Sequence, residues 1–189
     1  MKYIKLSKKF WDESYMNGYA NVMSAEKELV RYKKIVELIE STGEIKRVLD
    51  LGCGNGLLEN MVSNQHQYVG VDISSCAIKI ADANKKHFHS IFVCDDICTY
   101  NPLSEFDVII FNESLYYIEN ARKVVERYFN YLQKCGSMVI SIYVPNEQHR
   151  SYRVFDELCR SVLLWGYDIS KDENISGGDC RWRLICLKK

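Results

Sequence analysis

The segment richest in chemistry is Val48-Leu49-Asp50-Leu51-Gly52-Cys53-Gly54-Asn55-Gly56. Glycines at alternate positions after an apolar run let the backbone approach a ligand where a Cβ would collide. A tight turn alone would need only one of them. The spacing is not that of the dinucleotide fingerprint Gly-x-Gly-x-x-Gly, whose third glycine would fall at Leu57, and no Gly-Lys-Ser/Thr follows to cradle phosphates. Asp50 adds an argument from charge. A carboxylate just ahead of the first glycine repels a pyrophosphate and attracts an ammonium, so the loop suits a cationic ligand without phosphate.

The elements that must hold this loop follow from hydrophobic periodicity. Residues 25–40 are helical, with Leu29, Tyr32, Val36 and Ile39 on one side, Ser24 as a possible N-cap and Gly43 past the end. Residues 46–51 form a strand, 55–64 a helix through Leu57, Leu58, Met61 and Val62, and 68–73 a second strand. Ser74 or Ser75 caps the next helix, around Ala77, Ile80 and Ala81. Strands at 91–94 and 106–111 follow, the latter apolar enough to be covered on both faces. Residues 120–134 continue as a helix, 137–144 as a strand stopped by Pro145, and a helix from near Ser151 carries Phe155, Leu158, Cys159 and Val162. Two extended runs, 165–170 and 181–187, flank a turn-rich stretch at 172–179 too short for a helix, so they pair antiparallel. The alternation predicts one α/β domain over residues 1–189: a doubly wound, mostly parallel, Rossmann-like sheet of seven strands, helices on both faces and a C-terminal antiparallel pair.

In this order the segments resemble the class I S-adenosylmethionine-dependent methyltransferases over roughly residues 10–188. Asp50-Leu51-Gly52-Cys53-Gly54-Asn55-Gly56 matches the family's first motif, and the donor carries an ammonium and a sulfonium but no phosphate. The resemblance implies that Asp72, in Val69-Gly70-Val71-Asp72-Ile73, accepts hydrogen bonds from the ribose hydroxyls. It implies an adenine clamp at Asp95-Asp96-Ile97, with Asp96 preferred over Asp95 for the exocyclic amine. It sets the end of the fourth strand, Asn112-Glu113, beside the methionine part. The aromatic stretch within residues 1–24 would fold over the cofactor as a lid, with Tyr15 and Tyr19 as its contacts, leaving 25–189 as the core.

Methyl transfer from a sulfonium needs mainly alignment, and a general base helps without being obligatory. Enzymes acting on exocyclic amines of bases carry an Asn- or Asp-Pro-Pro-aromatic segment after the fourth strand; Asn112-Glu113-Ser114-Leu115-Tyr116-Tyr117 has no proline. That segment is similar instead to the small-molecule branch, particularly the nodulation N-methyltransferases acting on sugar amines. Glu113 is the candidate base, His149 the alternative, and Tyr116 and Tyr117 the candidate walls of the acceptor pocket. His66, His87 and His89 fall in connections and are expected at the surface. The expected activity is transfer of a methyl group to nitrogen or oxygen of a small polar metabolite or sugar derivative. The alternatives are an RNA or protein methyltransferase, or a catalytically silent cofactor-binding partner subunit.

Composition narrows the field further. Of 189 residues, 47% are hydrophobic and 26% charged, the balance of a globular fold rather than a disordered chain. Twenty-five Lys plus Arg against twenty-five Asp plus Glu leave no basic excess for a nucleic-acid partner; only the first ten residues, with Lys2, Lys5, Lys8 and Lys9, are one-sided. No apolar run approaches the roughly 20 residues of a membrane helix, and the chain opens without an apolar leader, so a cytoplasmic protein with no membrane insertion is expected. The eight cysteines include no Cys-x-x-Cys pair, which predicts no metal and mostly core thiols.

Overall fold

The computed structural model describes residues 6–149 and 152–189. Lys2 and Lys5 of the basic run, and the expected helix start at Ser151, lie outside the described residues. Seven strands form one sheet: β1 (Arg47–Leu51), β2 (Gln67–Asp72), β3 (Ile91–Cys94), β4 (Phe106–Asn112), β5 (Leu132–Tyr143), β6 (Asp168–Gly177) and β7 (Cys180–Lys188). Their order is β3-β2-β1-β4-β5-β7-β6, parallel from β3 to β5 and antiparallel in the last two pairings. The order reverses between β1 and β4, the switch point where open α/β sheets place ligands beyond the strands' C-terminal ends.

Period-two alternation splits the core into two layers. Leu49, Leu51, Ile109, Phe111, Met138 and Ile140 face one way and pack with α5 (Ala121–Phe129) and α6 (Tyr152–Leu163). Val48, Tyr68, Val108, Ile110 and Val139 face the other way, onto Tyr32, Ile35 and Ile39 of α3 (Glu26–Glu40). Among the described residues the remaining helices are α1 (Lys8–Met16), α2 (Tyr19–Met23), α4 (Ser75–Asn84) and a single 3-10 turn at Leu115–Tyr117. Among the described residues no helix is long and apolar enough to cross a membrane.

Several local expectations are corrected. Residues 55–64 form successive turns rather than a regular helix. Gly56 sits at φ +76, in the left-handed region that stops a right-handed helix, although Leu58 and Val62 are buried as their spacing required. The buried stripe of α3 is rotated by one residue, to Glu28, Arg31, Tyr32, Ile35 and Ile39, and its N-cap is Ala25 without a side-chain bond; Ser24 closes α2 instead. Helix α5 stops at Phe129, because Asn130 caps it and β5 begins at Leu132, with a bulge around Cys135 (φ +67). Strand β6 spans most of the stretch read as a turn. Its polar residues face solvent on an edge strand, where Arg183 grips Asp172 through two 2.7 Å hydrogen bonds, and the turn shrinks to Gly178-Asp179. His66 and His87 are buried, while His89 is exposed as expected. All eight cysteines are free, but only Cys53, Cys159, Cys180 and Cys186 are buried.

Candidate active site

A cavity of about 290 Å³ opens at the switch point. Its floor is the glycine loop. Gly52 and Cys53 donate their N–H groups to Val71 O at 2.8 and 3.1 Å, which folds the loop back over β2. Gly54 has φ +55, and a Cβ there would overlap the Tyr15 hydroxyl. Asp72, ending β2, accepts from Gly54 N at 2.9 Å and Ser74 N at 2.8 Å, and lines the cavity with Ile73. Burial pushes the Asp72 carboxyl up, and the two amides hold it partly down. Asp96, Ile97 and Cys98 complete this end, with the Asp96 carboxylate accepting from Cys98 N at 2.8 Å.

The roof comes from the first two helices. Trp11, Tyr15 and Tyr19 line the cavity, and Trp11 packs edge-on against Tyr117 at 5.0 Å. Helix α1 starts at Ser7, whose hydroxyl accepts from Phe10 N, and is fixed to α4 through Asp12. Burial works to raise the Asp12 carboxyl, but the Ser74 hydroxyl, the Cys76 amide and the Lys8 ammonium hold it well below the usual range.

At the opposite end stands Glu113. Its φ of +59 is a left-handed conformation that costs a non-glycine residue about 1–2 kcal/mol, and it turns the chain out of β4. Its carboxylate accepts from Tyr116 OH at 3.1 Å and Ser141 Oγ at 3.2 Å, and its remaining exposure is towards the cavity. Burial pushes this carboxyl up to about 7, against the pull of the Arg31 guanidinium. Arg31 is wholly buried, pairs with Glu28 Oε2 at 2.9 Å, donates to Asn112 Oδ1 and lies 4.6 Å from the Tyr32 ring centre. Its Nε has no partner among the described residues.

The structure thus brings Gly52, Cys53, Gly54, Asp72, Ile73, Asp96, Ile97, Asn112, Glu113, Tyr15, Tyr19 and Tyr117 to one cavity. Five expected residues are not on its wall. Asp50 shares the face of Val48, so it points beneath the loop; Tyr68 OH donates to it at 2.5 Å, its other oxygen has no partner among the described residues, and burial pushes it up to about 7. Gly56 serves packing: a Cβ would come within 3.0 Å of Phe92 and Ala81. Asp95 turns its carboxylate to the Asp96 amide, and Tyr116 is buried behind Glu113. His149 is exposed on the loop after β5 and does not line the cavity. Arg31 and Trp11 were missed. The signal for Arg31 was present, since it shares the helical stripe of Tyr32, Ile35 and Ile39, where an unpaired cation would be costly. Among the described residues no group of His, Cys, Asp or Glu is arranged to hold a metal ion.

The family profile described as "Methyltransferase domain" matches residues 24–176. The chain belongs to this family. It carries a class I S-adenosylmethionine-dependent methyltransferase domain similar to that of the N-methyltransferase NodS. Nodulation protein S of Azorhizobium caulinodans is 27% identical over 173 residues, covering 89% of this methyltransferase and 77% of that protein. A ubiquinone biosynthesis O-methyltransferase of Bradyrhizobium diazoefficiens is 27% identical over 178 residues, covering 87% and 68%. The malonyl-[acyl-carrier protein] O-methyltransferase of Bacillus anthracis is 26% identical over 57% of the methyltransferase, which spans 42% of that relative's length. NodS from Bradyrhizobium japonicum, solved with S-adenosylhomocysteine, superposes with a TM-score of 0.77 over 95% of this chain and 98% of that one, at 19% identity, a likeness of fold.

Proposed function

We propose that this methyltransferase moves a methyl group from S-adenosylmethionine to nitrogen or oxygen of a small polar metabolite or sugar derivative. The observation that carries the reading is Glu113: a carboxyl held near neutrality, in a strained backbone, on the wall of a cavity roofed by aromatic side chains. Bound there, the donor supplies a sulfonium-activated methyl group.

The residues present fit that donor. Gly54, lacking a Cβ, lets the backbone and the Tyr15 hydroxyl come together at the cavity, and the Asp72 carboxylate keeps acceptor capacity for ribose hydroxyls beyond its two amides. Asp96 and Ile97 would meet the adenine. Arg31, positive and with its Nε unpartnered, would hold a carboxylate. Tyr15 and Tyr19, with residues 1–24 as a lid, would exclude water, and Tyr117 and Trp11 would wall the acceptor. Glu113 would take the acceptor's proton, its carboxyl poised near the operating pH. Tyr116 and Ser141 orient that carboxyl. A single domain acting in the cytoplasm completes the proposal, and the resemblance of the segment after β4 to the nodulation N-methyltransferases implies a sugar-type or other small acceptor.

The test is a panel of amine and hydroxyl acceptors assayed for S-adenosylhomocysteine release. Turnover with a small amino or hydroxyl compound supports the reading. Turnover confined to RNA or protein replaces it, and cofactor binding without turnover on any acceptor points to a silent partner subunit.

A further inference from the structure

Trp11 and Tyr15 reach the cavity because α1 lies against the first turn of α4, and one side chain ties the two helices together. Asp12 Oδ1 accepts from Ser74 Oγ at 2.8 Å, Cys76 N at 3.1 Å and Ser75 Oγ at 3.2 Å. Its Oδ2 pairs with Lys8 Nζ at 3.2 Å, and Lys8 donates to Ile73 O at 2.9 Å. Hydrogen bonds to an ionised carboxylate are the strong kind, and the positive end of α4 adds to them. Beyond these bonds α1 is held by ring contacts, Trp11 on Tyr117 and Tyr15 on Tyr19, and Tyr15 is its only buried residue.

All the α4-side partners fall in residues 73–76, directly after Asp72. Ser74 serves both carboxylates: its N–H donates to Asp72 at 2.8 Å and its hydroxyl to Asp12. The attachment of the roof and the wall of the cavity are therefore joined through a single residue.

We propose that Asp12 is a positioning residue, the latch that holds α1 closed on α4 and so keeps Tyr15 over Gly54 and Trp11 against Tyr117. With the latch intact, cavity contents leave only when these contacts break together. Without it α1 swings free while the sheet, which owes it no core contact beyond Tyr15, stays folded. The inference rests on the cavity being the S-adenosylmethionine site.

Two measurements on Asp12→Ala and Asp12→Asn test it. In the ligand-free protein, amide exchange over residues 8–16 should accelerate by about tenfold or more in Asp12→Ala, the scale of losing one or two charge-assisted bonds, with β1 and β4 unchanged. Asp12→Asn, which keeps an acceptor oxygen but loses the Lys8 pairing, should fall between. S-adenosylhomocysteine release should accelerate in the same order. Unchanged exchange over 8–16 in both variants overturns the latch, as does faster exchange with an unaltered release rate. If Asp12→Ala loses exchange protection across the sheet, Asp12→Asn carries the test. If the wild-type protein fails to bind S-adenosylhomocysteine, the cofactor reading fails, while the exchange result still decides whether Asp12 fastens α1.

Discussion

The two ends of the cavity are built in different ways. The glycine-loop end is made of backbone: Gly52, Cys53 and Gly54 fold over β2 through their N–H groups, and one carboxylate, Asp72, closes the arrangement within twenty residues of chain. The Glu113 end is made of side chains drawn from α1, α2, α3 and the end of β4, segments up to about a hundred residues apart, with Arg31 wholly buried and Glu113 half-buried on the cavity wall. A backbone site works by leaving space, so a single added group should ruin it outright. A side-chain site works by converging charges, so a single change should alter chemistry while leaving ligand binding in place.

The largest effect expected is at the first end. Gly54→Val forces a β-branched residue into φ +55 and drives its Cβ into the Tyr15 hydroxyl. Calorimetry should find no cofactor binding, with circular dichroism of a folded protein. Retained binding would mean that the loop does not lie against the ligand and that the contrast between the ends is false.

Glu113→Gln should come next, lowering kcat by ~10²–10⁴-fold, the range for a general base, with cofactor affinity little changed. Loss of affinity with chemistry intact would move Glu113 to the methionine end of the cofactor. His149→Ala, run beside it, should leave turnover alone, because His149 is exposed on the loop after β5 and does not line the cavity. Smaller again is Asp72→Ala. Removing an acceptor for charge-assisted hydrogen bonds at ~1.5–3 kcal/mol each should weaken cofactor binding by at least about tenfold, and an unaltered affinity would remove the ribose assignment.

The same contrast explains what was legible in the sequence. The sheet and the glycine loop depend on local spacing, which points to Gly52 and Gly54, while Asp72 and Asp96 follow from the family resemblance applied at strand ends that periodicity locates. Direction failed where it depends on which face a side chain takes. Asp50 stands one residue from Leu51 and so faces α3 and Tyr68 instead of the cavity. Gly56 was counted with its neighbours although its space is filled by Phe92 and Ala81. At the other end Glu113 was found because strand β4 ends there, whereas Arg31 and Trp11 depend on how two helices cross the sheet, which no local pattern encodes. Strand β6 was misjudged because its exposed, polar face carries the composition of a turn.

The smallest predicted effect concerns the two carboxyls that burial pushes up to about 7, Asp50 beneath the loop and Glu113 on the cavity wall. In the unfolded chain both return to ordinary values near 4. Between that range and pH 7 these two groups bind more protons in the folded state than in the unfolded one, so the stability they contribute is full below about pH 4 and is lost as pH rises towards 7. Each group should contribute on the order of 1 kcal/mol to the decline, less than the 1.36 kcal/mol per unit of an undamped shift, because structure and water relax around a buried charge. Denaturation by urea at a series of pH values should give a shallower decline in Asp50→Asn and a shallower one again in the Asp50→Asn, Glu113→Gln double variant, with Asp72, also pushed up by burial, supplying the remainder. The two ends should then part company when the cavity is filled. A bound acceptor amine or hydroxyl meets Glu113 and changes its contribution, while Asp50, walled off with Tyr68, keeps its slope. If acceptor binding altered the Asp50 slope instead, the backbone end would be open to the ligand after all, and the separation of the two ends would fall.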